Sequence, residues 1–213
     1  MQLTSINIGK AETIQGPRRQ ETSGIFKRPV PGPLRVTALG LEGDFIASTK
    51  HHGGPDQAVY VYGGADYDWW ATQLGRELDP GTFGENLTVG GLESARFAIG
   101  DRLRLAEVLL EVTAPRIPCE TFAARMGDAQ FVKKFRRAER PGLYCRVLRE
   151  GLVKVGEEVT LEACAGEKVL LLEIYRDYYE KKADAAELQR FLRAPVAIRA
   201  RRDLEKRLAS MKG

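Results

Sequence analysis

The feature that most constrains this chain is a change of rhythm near residue 165. Before it, short apolar or alternating runs recur between Gly, Pro, Asn and Asp: Leu3–Ile8, Leu34–Leu39, Ala58–Tyr62, Asn86–Val89, Arg102–Leu105, Val108–Thr113, Tyr144–Leu148 and Glu158–Leu161. Runs of this length with period-2 patterning are strands. Their number and spacing predict a barrel or sandwich, and no regular helices stand between them as a doubly wound parallel sheet requires. Two helices are expected inside this β region. One covers Ala65–Leu78, with Trp69, Trp70 and Leu74 on an apolar stripe and Asp66 and Asp68 early, where carboxylates complement the helix dipole. The other covers Thr121–Arg137, broken at Gly127, with Phe131 and Phe135 on one face.

Beyond Gly166 the pattern becomes helical: Val169–Tyr179, Ala185–Leu192 and Ala197–Met211, with Asp184 placed to cap the second and Pro195 separating the second from the third. The fold expected is therefore mainly β, with a barrel-like domain over residues 1–164 and a three-helix segment over 165–213. Three short helices are marginal alone, so they are expected to pack on the barrel or on a second subunit.

Composition narrows the function classes. The net charge of +4 falls entirely in residues 165–213, which hold 12 basic and 8 acidic side chains. A modestly basic tail suits a solvated helical surface or an acidic protein partner. With no aromatic-interleaved basic platform, nucleic-acid duplex binding is not expected. No apolar run approaches the ~20 residues of a membrane span. The start, MQLTSINIGKAE, lacks a basic region followed by an apolar one, and the three cysteines are odd in number. Together these predict no export signal, no disulfide framework and a reducing, cytoplasmic setting.

Among the cysteines, Cys119 stands out. It follows Ala114-Pro115-Arg116-Ile117-Pro118, between a strand and a helix. A sulfur at a helix N-terminus faces the positive end of the dipole, which favours the thiolate; Arg116 adds charge, and the prolines fix the approach. A thiolate serves a soft or high-valent metal or a covalent mechanism, although an ordinary buried cysteine has the same local sequence. Cys145 lies within a strand and reads as a small core residue. His51 and His52 are the chain's two histidines, in Lys50-His51-His52-Gly53-Gly54-Pro55-Asp56-Gln57. Adjacent histidines rarely chelate one ion and no CxxC or HxxxH spacing accompanies them, so a cofactor-binding loop or a structured turn fits better than zinc. Gly40–Asp44 (GLEGD) and Phe83–Leu87 (FGENL) are polar, glycine-flanked turns where a backbone can approach a ligand. Arg116, Arg125, Lys133, Lys134, Arg136, Arg137 and Arg140 form a basic stretch suited to phosphate or to a solvated face.

In this order, GLEGD, KHHGGPDQAVYVY, FGENL, IGDRLRL, the APRIPC cysteine and RPGLYCRVL resemble the MOSC domain family, and most of all its bacterial YiiM-type branch, which carries a C-terminal three-helix segment. The resemblance spans roughly residues 3–164. It implies a β-barrel-like fold, a molybdenum pyranopterin cofactor with Cys119 as metal ligand, and reduction of N-hydroxylated compounds, purine bases such as 6-N-hydroxylaminopurine among them, to the amine. It makes Lys50, Gln57, Asn86, Arg116 and Arg140 expected cofactor contacts, with His52 and Asp56 as expected proton donors. The alternatives are a non-catalytic carrier of the cofactor or of sulfur, and a cysteine-nucleophile enzyme. The chain lacks a GxGxxG element between strand and helix, a four-cysteine cluster set and CxxCH. A separate electron donor, a flavoprotein reductase, is therefore expected. A homodimer is compatible with the sequence.

Overall fold

A computed structural model describes residues 1–16, 20–47 and 53–211. In chain order the strands are β1 (Gln2–Ile8), β2 (Glu12–Gln15), β3 (Gln20–Ser23), β4 (Arg28–Pro29), β5 (Leu34–Thr37), β6 (Gly40–Leu41), β7 (Val59–Gly63), β8 (Leu87–Gly90), β9 (Arg102–Arg104), β10 (Leu109–Pro115), β11 (Leu143–Arg149), β12 (Gly151–Val153) and β13 (Thr160–Glu162). The helices are α1 (Gly64–Leu74), α2 (Glu120–Met126), α3 (Phe131–Ala138), α4 (Leu171–Glu180), α5 (Ala185–Arg193) and α6 (Ile198–Ser210).

Eight strands form one curved sheet in the order β13-β9-β10-β11-β7-β8-β1-β4. Its pairs are antiparallel except β7 with β8, which run parallel because α1 carries the chain across between them. The expected barrel does not close. Edge strands β4 and β13 are only two and three residues long. The far end of the sheet meets β1 through an isolated bridge, Gln2 to Glu158, and the backbone bonds Leu3 N to Glu157 O and Val159 N to Met1 O. The sheet thus curls toward a barrel, and its last seam is a bridge rather than a ladder.

Strand β7 is buried on both faces and divides two cores. Val59 and Val61 join an aliphatic core with Leu3, Ile6, Leu110, Val112 and Leu143, whereas Tyr60 and Tyr62 join an aromatic core with Trp70, Phe83, Phe122, Phe131 and Phe135. The period-2 alternation of a strand sends neighbours to opposite sides, so one Val-Tyr-Val-Tyr sequence serves both. Helices α1, α2 and α3 cover the aromatic side. Gly75 and Gly127 end α1 and α2 in the left-handed conformation that spares glycine a steric penalty.

The C-terminal helices share the aliphatic core through Leu171, Ile174, Leu188, Phe191 and Leu204. Asp184 caps α5, accepting a hydrogen bond from Glu187 N at 2.9 Å. No helix among the described residues is long and apolar enough to cross a membrane.

Candidate cofactor and substrate cleft

Strand β10 ends at Pro115, which has no N–H to continue the ladder. The chain then turns through Arg116, Ile117 and Pro118, and Cys119 becomes the N-cap residue of α2 with an extended backbone (φ −124°, ψ 174°). Its carbonyl accepts from Phe122 N and Ala123 N. The half-buried Cys119 opens onto a cleft of about 840 Å³. That is within the ~300–1,000 Å³ of small-molecule and cofactor sites. Strand β3 and the segment after it form one wall; Asp44–Ala47, Gly84 and Asn86 form another.

Arg116 is buried at 5% exposure yet has no carboxylate partner among the described residues. One Nη donates to Phe83 O, while Nε is buried without a partner. The guanidinium lies between rings, 5.0 Å from the centroid of Tyr60 and 4.5 Å from that of Phe122. Burial works against its charge, but Tyr60, Tyr144 and Cys119 outweigh that and hold it above the ordinary arginine value. Gly84, at φ +74°, allows this approach: a Cβ there would stand 3.2 Å from the guanidinium. The cleft thus presents a thiol beside a buried cation that no carboxylate among the described residues neutralises, an arrangement that attracts an anionic ligand.

Deeper in the cleft, Lys27 pairs with Asp44 at 2.5 Å. Asp44 also accepts from Asn86 Nδ2 at 2.9 Å and Gly9 N at 2.8 Å. Burial pulls the Lys27 ammonium below its usual value despite Asp44. Behind this wall Glu85 is fully buried. Its Oε1 accepts from Tyr67 Oη (2.6 Å), Gly81 N (2.7 Å) and Thr88 Oγ1 (2.8 Å), and its Oε2 has no partner among the described residues. Burial raises its pKa above the usual carboxylate range.

Of the residues singled out in the sequence, Cys119, Arg116, Asn86 and Gln57 line this cleft together. Lys50 and His52 lie outside the described residues. Arg140 and Asp56 do not line it. Arg140 pairs with the buried Asp66 at 2.8 Å and approaches Glu93 at 3.4 Å. The turn it begins caps the aromatic core, since Tyr62 Oη donates to Arg140 O and Tyr60 Oη to Pro141 O. Asp56 pairs with Arg146 at 3.1 Å and accepts from Ile198 N at 2.7 Å, holding the start of α6. Lys27, Tyr60 and Tyr144 were not singled out. Lys27 stands alone between Phe26 and Arg28, and only the fold brings it to Asp44. Within the noted GLEGD and FGENL turns, the acids that matter structurally are Asp44 and Glu85.

The fold is thus a strand-rich scaffold with a thiol just beyond the end of β10, beside a buried arginine that has no carboxylate partner among the described residues, in a large cleft. The MOSC domain model matches residues 48–160, and the chain belongs to the MOSC-domain family. Within it, the likeness is to the YiiM type. The uncharacterized protein YflK of Bacillus subtilis is 40% identical over 157 residues, covering 74% of this chain and 71% of that protein. Protein YiiM of Escherichia coli is 34% identical over 152 residues, covering 70% and 67%. A protein named reductase from Gibberella moniliformis is 35% identical over 144 residues, which is 66% of this chain but 26% of that longer protein. The crystal structure of YiiM from Geobacillus stearothermophilus superposes with a TM-score of 0.79 at 29% identity, over 97% of this chain and 98% of that one.

Proposed function

We propose that this chain binds a molybdenum pyranopterin cofactor in the Cys119 cleft and reduces N-hydroxylated compounds, purine bases such as 6-N-hydroxylaminopurine among them, to the amine. The observation that carries the reading is the pairing of the Cys119 thiol with the unneutralised Arg116 guanidinium. The residues fit the group. A pyranopterin brings its own sulfur ligands and a phosphate, so it asks the protein for one soft donor and for cationic anchoring. Cys119 supplies the donor, and Arg116 the anchoring. Among the described residues no cluster of three or more His, Cys, Asp or Glu is placed to hold a metal by itself, which matches a centre that arrives already coordinated.

When bound, the cofactor would supply the two-electron redox chemistry that reduction of an N–OH group requires. The reaction consumes two electrons and two protons and yields the amine and water. The protein's part is positional. Cys119, the N-cap residue of α2, would hold the metal. Arg116, clamped between Tyr60 and Phe122, holds an anionic group at one depth. The Lys27–Asp44–Asn86 set keeps the opposite wall rigid, so a ligand meets preorganised dipoles. Electrons come from a separate donor, a flavoprotein reductase whose acidic surface meets the basic face at Lys133–Arg137 or the basic tail. The relative named reductase supports an oxidoreductase over a carrier, and the reducing cytoplasm is the setting that suits a free thiol ligand.

The test mixes cofactor-loaded protein, 6-N-hydroxylaminopurine and NADPH, with and without a flavoprotein reductase, and follows adenine. Adenine should appear only with the reductase, at a rate that falls as salt rises. Absence of adenine with every electron source, chemical reductants included, while molybdenum stays bound, would leave a cofactor carrier in place of an enzyme.

A further inference from the structure

A second cavity, of about 320 Å³, lies between the sheet and the C-terminal helices. Ile117 and Tyr144 line it from the sheet side, and Ile174, Tyr178, Ala200 and Leu204 from α4 and α6. Ile117, Tyr144, Tyr178 and Gln57 line the Cys119 cleft as well, so the two spaces share a wall. Tyr144 marks the junction, lining both spaces.

We infer that this chamber holds the ring of a planar, uncharged N-hydroxylated base, between Tyr144 and Tyr178, with its N–OH end directed to the Cys119 cleft. Three observations lead there. The volume is at the low end of the ~300–1,000 Å³ typical of ligand pockets, enough for a bicyclic ring but tight for a nucleotide. The walls are aliphatic and phenolic, which favours a flat π system. Beside Arg199 and Gln57, the polar edge carries Asp177 and Asp203, carboxylates that accept from ring or exocyclic N–H groups. Both already serve cations, Asp177 with Arg207 at 2.5 Å and Asp203 with Lys181 at 2.6 Å, so their positions are fixed. The C-terminal helices then select the substrate, while the sheet domain holds the reactive end. This inference rests on the reductase reading for the identity of the base, but not for the existence of the chamber.

The experiment uses adenine, the amine form of the base, as a probe that needs no cofactor. Isothermal titration on the full chain compares wild type, Ala200→Trp, which fills the chamber from α6, and Tyr178→Ala, at a rim position half exposed to solvent. Thermal melts verify that both variants fold. Wild type should bind adenine saturably and AMP at least tenfold more weakly. Ala200→Trp should weaken adenine at least tenfold, and Tyr178→Ala several-fold. Loaded Ala200→Trp should lose at least tenfold in kcat/KM for 6-N-hydroxylaminopurine, through KM, yet retain turnover of the small hydroxyurea. No adenine binding by wild type, undiminished binding in both folded variants, or equal loss on both substrates overturns the chamber. Ala200-dependent adenine binding without turnover of either substrate upholds the chamber and sinks the reductase reading.

Discussion

Replacing Arg140 by methionine separates a structural arginine from a cofactor-binding one. Asp66 is fully buried; its Oδ1 takes Arg140 at 2.8 Å and its Oδ2 takes Ser94 N at 3.0 Å. Removing one member of a buried pair typically costs 3–5 kcal/mol; because Arg140 keeps 18% of its side chain exposed and the Ser94 bond survives, about 3 kcal/mol is expected. For a chain of this size that is a fall in Tm of ~6–12 °C. The pH dependence has a definite sign. Burial already raises the Asp66 pKa above its ordinary value, against Ser94 and Arg140. A carboxyl raised in the folded state costs stability as pH climbs through the interval between its unfolded and folded values. Without Arg140 the folded value rises further, so the deficit should be larger at pH 8 than at pH 5. Thermal unfolding by circular dichroism at both pH values measures this, and Arg140→Met/Asp66→Asn should recover much of the loss. Molybdenum per folded chain should stay at the wild-type level. A variant that melts like wild type but has lost its molybdenum would refute the structural assignment.

Glu85→Gln keeps an acceptor for Tyr67, Gly81 and Thr88 and removes a buried ionisable group; relative to wild type it should gain stability as pH rises through the raised Glu85 pKa, about 1.4 kcal/mol for each tenfold change in proton affinity, and a pH series of melts tests this. Cys145→Ser puts a hydroxyl into the aliphatic core, where the thiol donates to Leu143 O at a long 3.9 Å. It should cost about 1–3 kcal/mol in denaturant unfolding and leave molybdenum content unchanged.

The strands were legible because period-2 runs flank glycine and proline turns: Ala58–Tyr62 became β7, and Tyr144–Leu148 fell within β11. The break at Gly127 and the Asp184 cap were also readable, since both depend on local chemistry. Hairpin β2–β3 was not, because Glu12–Gln15 and Gln20–Ser23 are polar and contribute only Ile14 to the core. Yet its second strand, β3, forms part of a wall of the cleft. Closure of the barrel was not readable either, since it turns on a seam between Met1–Leu3 and residues 157–159 far along the chain. Within the site, Cys119 and Arg116 share one short motif and emerged together. Arg140 has the same charge in an equally suggestive turn, but its partner, Asp66, is 74 residues away. Lys27 presents the converse case, an unremarked lysine that the fold sets beside Asp44.

The central claim is that Cys119 holds molybdenum in a cleft whose cation is Arg116. Its most direct test is elemental analysis of protein from a molybdenum-replete host, wild type against Cys119→Ser, with thermal melts on the same samples. Wild type should approach one molybdenum per chain. The variant should melt within about 1 °C of it, since the half-buried sulfur contributes little packing, and should retain little or none of the metal. Full molybdenum occupancy in a folded Cys119→Ser protein would contradict the account.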